Sequence, residues 1–535
     1  MKSSSWIQRL PSYERSTKED SIVNDNYSKT LNNDNMNKLR LKNYRCFEDT
    51  GDIELKPLTL LVGANSSGKS SFLKFFPLLK QSIGIRKNGV FLWYSDDVDF
   101  KDFKNTVRNG EGSIVINMEL PIIDHIDSNE SKIISEFFNK KEIKYEGASI
   151  NLELTISEID KNIDYLNHLS IYYFDQRMDI SFSKEGKVSI FVNENEFRND
   201  SVSNVLLSGS FLPRILISNN DAAYYYMGSK AIRDMIIEYL DSCNATKDIP
   251  VNELFFRSFY FLSKNSFNEC FGSIFKKEKK TSVDMEKLNN LYLLYNLNNI
   301  IDLANSYIHS IALNMSYVKP LRVMPERYYR YQNYSIDEIS SDGKNLAMYF
   351  ANLKKDDLKK FQKWTSDNFG FVLEPHKLEG HVEIDIIEKE KKGRNMVDTG
   401  FGYNQLLPIL AIIWNAINNK QRRVFYPYFS QYIKFIVIEQ PELHLHPRIL
   451  TMFAEMLGSV INNLKKDEDV RFIIETHSET IINKIGSLIH SSKMDKNKVN
   501  IVLFNAQNEG LTNYVEQASY DSNGYLNNWP TGFFL

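Results

Sequence analysis

The chain has 535 residues, a formal net charge of -3, 42% apolar and 25% charged residues, which excludes wholesale disorder and predicts about two to four structural units. Its three cysteines, Cys46, Cys243 and Cys270, are far apart, odd in number and without metal-ligand spacing, so a disulfide framework is excluded and a reducing compartment expected. With no signal-peptide pattern at the N-terminus and no run of about 18 apolar residues, the expected location is cytoplasmic, with no membrane contact.

Residues 1–35 are rich in Ser, Asn, Asp and Lys and read as a flexible N-terminal extension. From Asn37 the strings KLRLKNYRCF and DIELKPLTLLVGANSSGKSSFLKFF alternate and then run continuously apolar into a glycine-rich turn, which predicts strands feeding a helix. This opens a first segment, 36–204, in which SIVINMEL, SINLELTI and VSIFVNE predict an antiparallel β lobe. Residues 205–318 predict a helical insert, clearest in MEKLNNLYLLYNLNNIIDLANSYIHSIAL, where Leu288, Leu291 and Tyr295 recur near a 3.6 period. That pattern is too brief for a coiled-coil arm, and KKEKK at 276–280 reads as a solvated loop. Residues 319–535 return to core-like text.

Four elements carry chemistry. Gly63-Ala64-Asn65-Ser66-Ser67-Gly68-Lys69-Ser70, with Ser71 behind it, matches GxxxxGK[ST] and follows the apolar run LTLLV, as a phosphate cradle requires. Its backbone N–H groups can face an anion, Lys69 can neutralise β/γ-phosphates, and the Ser70 hydroxyl can ligate Mg²⁺. In YIKFIVIEQPELHLHP an apolar strand ends in Glu439, a Walker B pattern suited to the Mg²⁺ shell. In IIETHSE a further apolar strand is followed by His477, an imidazole able to reach a γ-phosphate. Finally, VDTGFGYNQLLPIL sets Gly400 and Gly402 before a helix beginning near Asn404 and Gln405, a helix start able to meet an anion.

The order of these elements resembles that of ABC-type ATPases related to RecF, SMC and OLD proteins. KLRLKNYRCF resembles their first strands, GFGYNQ their signature and THSE their switch-histidine segment, over residues 36–110 and 317–535. The resemblance implies an α/β fold, an ABC-type P-loop NTPase head with an antiparallel β lobe and an inserted helical domain. It implies ATP and Mg²⁺ as cofactors and a homodimer or higher even-numbered oligomer that sandwiches ATP. PLLKQSI, VDFKDFKNTV, PLRVMPERYYR, DGKNLA and GYLNNWPTGFFL further resemble a prokaryotic subfamily that includes the PtuA ATPase of Septu and retron-linked antiphage systems. That resemblance implies a separate HNH-type nuclease as partner and, in the retron version, a DNA–RNA hybrid.

Two departures stand out. Gln440 occupies the position after the Walker B acid where ABC proteins carry the glutamate that polarises water; an amide accepts no proton, so slow hydrolysis is expected unless Glu439 or Glu442 substitutes. Asn404 stands where relatives often carry serine. Glu442, His444 and His446 alternate like metal ligands but are expected to make hydrogen bonds in the loop, and Gln81 is expected to pack at a helix end. Arg322, Arg327 and Arg330 lie among tyrosines, open to nucleic-acid stacking or core-edge packing, and Trp529, Phe533 and Phe534 are expected to dock on the body or a partner. The function expected is the ATPase subunit of an antiphage complex; the alternative is a repair ATPase that grips DNA directly. A self-contained nuclease is disfavoured, because the stretch after His477 reads as too short for one.

Overall fold

The computed structural model describes residues 37–85, 87–121, 149–160, 163–198, 202–206, 210–217, 230–243, 267–268, 284–331, 338–388, 392–418, 432–464, 468–505 and 514–529. All lie within one compact unit, Met36–Leu535. The N-terminal extension, the KKEKK run, Cys270, Phe533 and Phe534 fall outside the described residues.

A seven-stranded sheet organises this unit. Its order is Ser316–Val318, Tyr432–Glu439, Glu468–Glu475, Leu58–Gly63, Val499–Asn505, Tyr514–Tyr520 and Leu526–Asn527. The first five strands pair in parallel and the last two turn back antiparallel. Parallel strands are stable when both faces are covered, which explains why Leu58–Gly63 is buried at every position and shows no alternation in sequence.

The two faces feed different cores. Leu61, Phe435, Val437, Ile473 and Phe504 face the P-loop helices and the β lobe, with Phe76 stacked on Phe435 at 5.6 Å between ring centroids. Leu60, Val62, Ile438, Ile474 and Leu503 face the helices Leu346–Asn352, Lys355–Phe369, Phe401–Asn418, Pro447–Asn462 and Glu479–His490. Alternate residues of one strand thus enter opposite layers, as strand geometry dictates.

The expected β lobe is a nine-stranded antiparallel sheet that runs from Asn195–Phe197 through Ser149–Asp160 to Asn37–Tyr44 and Phe47–Asp49. In the segment read as a helical insert, the long helix Met285–Leu313 is capped by Asp284, whose carboxylate accepts from the Glu286 and Lys287 amides. This helix is buried nearly all round, Asn289, Asn296 and Asn305 included, and shares one core with the β lobe and with Ile433 and Phe435 of the central sheet. A short antiparallel pair, Ser203–Val205 with Arg214–Leu216, straddles the boundary expected between the two segments. Among the described residues no helix is long and apolar enough to cross a membrane.

The end of the described chain is locked to the helix that follows His477. The turn at Gly524 (φ 77°) approaches Gly486 so closely that a Cβ on Gly524 would lie 2.0 Å from the Gly486 carbonyl oxygen. Gly380 has a similar φ of 74° but nothing within 4 Å of such a Cβ. Backbone strain of this kind costs about 1–3 kcal/mol. Gly524→Ala is therefore expected to lower the thermal midpoint clearly more than Gly380→Ala, because only the former adds a clash to the strain; equal midpoints would show that the contact is not fixed.

Candidate nucleotide site

Three neighbouring parallel strands end at one level. Glu439 and Glu475 are partners across Tyr432–Glu439 and Glu468–Glu475, and Glu475 in turn pairs with Leu61 of the strand that enters the P-loop. The chain leaves Leu58–Gly63 through Ser66 (φ 62°) and Gly68 (φ 103°) and enters the helix Lys69–Leu73. A Cβ on Gly68 would lie 2.4 Å from the Phe47 ring and 2.6 Å from the Cys46 sulfur, so both conformation and space require glycine there.

The Lys69 ammonium donates to the carbonyls of Gly63 (3.0 Å) and Ala64 (2.6 Å), inside its own loop. Burial lowers its pKa, and the carboxylates of Glu475 and Glu442 oppose that shift. The Ser70 hydroxyl donates to Glu475 at 2.8 Å. Burial, reinforced by the neighbouring charge of Glu439, pushes the Glu475 carboxyl up to about 7. Its second oxygen and the Nε2 of His477 are buried without a hydrogen-bond partner.

Glu439 is 3% exposed, raised in pKa by burial, and accepts a hydrogen bond from the Tyr317 hydroxyl. The following residue, Gln440, adopts φ 43°, a left-handed conformation unfavourable for a side-chain-bearing residue. Two contacts hold it there: its amide donates to the Glu475 carbonyl (2.9 Å), and the buried Arg322 guanidinium donates to the carbonyls of Glu439 (3.1 Å) and Gln440 (3.4 Å). Arg322 also reaches the side chain of Gln405 at 3.4 Å, and burial lowers its pKa to about 10. Of the arginines set among tyrosines, Arg322 is thus a core residue, while Arg327 makes a paired ion contact with Asp398 at 2.6 and 2.9 Å on the surface. Arg330 is an exposed residue of a two-residue strand.

The loop after Gln440 settles the alternating Glu442, His444 and His446. The Glu442 carboxylate accepts from the Thr476 hydroxyl (2.9 Å) and the His477 amide (2.6 Å). The His446 ring accepts from the Arg448 amide (3.2 Å) and caps the helix Pro447–Asn462. No group of three or more metal-ligating side chains exists among the described residues. Gln81 binds the carbonyls of Leu92 and Val98 and the Val98 amide, a packing role. Trp529 packs partly buried against the second core.

A cavity of about 840 Å³ opens over these groups. Asn65, Ser66, Gly68, Lys69, Ser70, Ser71, Gln440 and His477 line it, as does Glu475. Glu439 lies behind this lining, and Gly400, Gly402, Asn404 and Gln405 do not reach the cavity of their own chain. The helix start at Gly400–Gln405 is nonetheless well formed: Gly400 has φ 83°, the Asn404 side-chain Nδ2 donates to the Gly400 carbonyl (3.1 Å), and the Asn404 side-chain oxygen is buried without a partner.

Among the lining residues that escaped the sequence, three are charged. Arg45, stacked 4.8 Å from the Phe100 ring centroid, and Lys104 give the cavity two further cations. Their approach depends on the β lobe folding over the P-loop, which no local pattern announces. Glu475 was visible in principle, since IIETHSE, like IVIEQP, ends an apolar strand in glutamate.

Residues 35–482 match the family described as AAA ATPase domain. This chain belongs to that family. Among curated proteins it is similar to "Endonuclease GajA" of Bacillus cereus (strain HuB5-5), 23% identical over 480 residues, which is 86% of this chain and 58% of that protein. The chain therefore spans little more than half the length of that relative. Among solved structures it pairs with the Smc head domain of Pyrococcus furiosus bound to the C-terminal domain of ScpA (13% identity, TM-score 0.30, 90% of this chain and 96% of that one). It pairs likewise with the SMC head domain of Thermotoga maritima (11% identity, TM-score 0.32, 90% and 98%). The fold of this AAA ATPase domain is α/β, with the P-loop strand, the histidine strand and the Glu439 strand adjacent in one parallel sheet.

Because Glu442 joins the Walker B loop to the Thr476–His477 turn, Glu442→Ala strands two buried donors. Such a loss costs about 1–3 kcal/mol per unsatisfied group. The expected result is a drop in unfolding free energy larger than that of Thr476→Val, which keeps the His477 bond; equal losses would show that the carboxylate is not the clamp.

Proposed function

We propose that this chain is the ATP-binding and ATP-hydrolysing subunit of a bacterial antiphage defence complex, a nucleotide-gated scaffold that controls a separate HNH-type nuclease, in some forms with a retron DNA–RNA. The observation that carries the nucleotide part is the cradle itself: Lys69 turned onto its own loop carbonyls beneath a cavity ringed by Arg45 and Lys104. A polyphosphate is the ligand whose charge answers that of the three cations. The defence part rests on the resemblance to the PtuA-containing subfamily and on the similarity to a protein named an endonuclease.

The donor set fits Mg²⁺, a hard cation that takes oxygen ligands. Ser70 and Glu439 would hold it, and bound there it would neutralise charge on the β- and γ-phosphate oxygens. Lys69 binds phosphate from the loop side, and His477, whose pKa burial and Lys69 lower and whose Nε2 is without a partner, can donate to the γ-phosphate. Gln440 orients water through its amide without taking a proton. Hydrolysis is correspondingly slow, and the ATP-bound form long-lived. The signature segment Gly400–Gln405 lies outside its own cavity, which supports closure by a second copy, head to tail, in an even-numbered assembly.

Lys69→Ala is expected to abolish ATP binding and, in cells carrying the intact system, protection against phage; retained tight ATP binding contradicts the cradle. General-base help is typically worth about 10²- to 10⁴-fold. Gln440→Glu should accordingly raise steady-state ATP turnover by about 10²-fold, and wild-type turnover already at the level of that variant would refute the slow clamp. Purified from its native host with and without ATP, the chain should bring down an HNH nuclease; a chain that binds only added DNA would instead fit a repair ATPase.

A further inference from the structure

Two carboxyl-bearing residues, not one, end the strands beside the P-loop, and one of them touches Ser70. Glu439 and Glu475 end neighbouring parallel strands as direct partners, so both side chains leave the sheet from the same level. Their contacts differ. Glu439 is engaged by the Tyr317 hydroxyl, whereas Glu475 accepts the Ser70 hydroxyl at 2.8 Å. Glu475 is 2% exposed and lines the cavity together with Ser70 and Lys69, and its second oxygen is buried without a hydrogen-bond partner. An unmade hydrogen bond on a buried acceptor is costly, so the unpartnered oxygen beside the P-loop suits a donor that arrives with a ligand.

The hydroxyl chemistry gives that partner. A serine hydroxyl carries one donor and two lone pairs, and it can turn its lone pairs to a cation only when its O–H is accepted elsewhere. Glu475 is that acceptor. A hard divalent cation at Ser70 keeps several of its waters, and each water is a donor that a free carboxylate oxygen can receive.

We propose that Glu475 is a positioning residue for the divalent cation of this site, accepting the Ser70 O–H through one oxygen and a cation-bound water through the other. The inference rests on the Mg²⁺-nucleotide reading above and adds to it a residue from the histidine strand. Glu475 also sets a second carboxyl beside that of Glu439, a feature that one Walker B acid alone does not supply.

A merely structural role, tying the P-loop helix to the sheet, is separable by substitution. Glutamine keeps an acceptor for Ser70 but loses the charge and the second acceptor oxygen. The test is Mn²⁺ binding, read from the free-ion electron paramagnetic resonance signal, by the full-length chain saturated with ATPγS, together with ATPγS affinity measured in EDTA. Loss of an outer-shell partner typically costs about 10- to 100-fold in metal affinity. Glu475→Gln is expected to weaken Mn²⁺ by about tenfold or more with ATPγS affinity in EDTA no weaker, and Glu475→Asp to recover part of the loss. Mn²⁺ affinity within twofold of wild type in Glu475→Gln, or parallel loss of Mn²⁺ and EDTA-measured ATPγS affinity in both variants, overturns the proposal. Failure of the wild-type chain to bind ATPγS in either condition would instead defeat the nucleotide reading, and the inference with it.

Discussion

The parallel insertion of Glu468–Glu475 between Leu58–Gly63 and Tyr432–Glu439 is the constraint on which the site depends. It brings the P-loop together with groups roughly four hundred residues away in the chain and fixes Glu439, Glu475 and the P-loop at a common height. A one-residue slip in a strand would swap its two faces between the two cores. The strong division of the sheet, Leu61 and Phe504 into one layer and Leu60 and Leu503 into the other, makes such a slip costly and so pins the register of the strand ends at the candidate site.

Given that register, the local strain becomes intelligible. Gln440 holds a left-handed conformation because the Glu475 carbonyl and Arg322 over-determine it, and Arg322 in turn touches Gln405 at the start of the signature helix. The same guanidinium therefore joins the Walker B turn to the helix whose N-terminus would face a partner. Burial raises the Glu439, Glu442 and Glu475 carboxyls and lowers the Lys69 ammonium. Charges held so reluctantly are ones whose balance a polyphosphate and a cation would change, which links the packing to the chemistry.

What the sequence made legible was local. The P-loop, the two glutamate- and histidine-tipped strands and the alternating lobe strands each announce themselves through a period or a glycine pattern, and each is found where expected. The metal reading of Glu442, His444 and His446 was set aside on sequence grounds, and hydrogen bonds account for two of the three, Glu442 with Thr476 and His477 and His446 with Arg448. What stayed hidden was relational. Arg45 and Lys104 come to the cavity only because the lobe closes over the loop, and the Ser70–Glu475 bond joins residues whose strings give no sign of one another. The long helix Met285–Leu313 read correctly as helix, yet its sharing of one core with the lobe and the central sheet could not be seen from a periodicity.

The central claim is that this head binds Mg²⁺-ATP in the P-loop and completes the site with a second copy. The most direct measurement is a structure of the full chain with Mg²⁺ and ATPγS. The account predicts the γ-phosphate between Lys69 of one copy and the Gly400–Gln405 helix start of the other, and nucleotide held away from Lys69, or closed over by Gly400–Gln405 of the same chain, would contradict it.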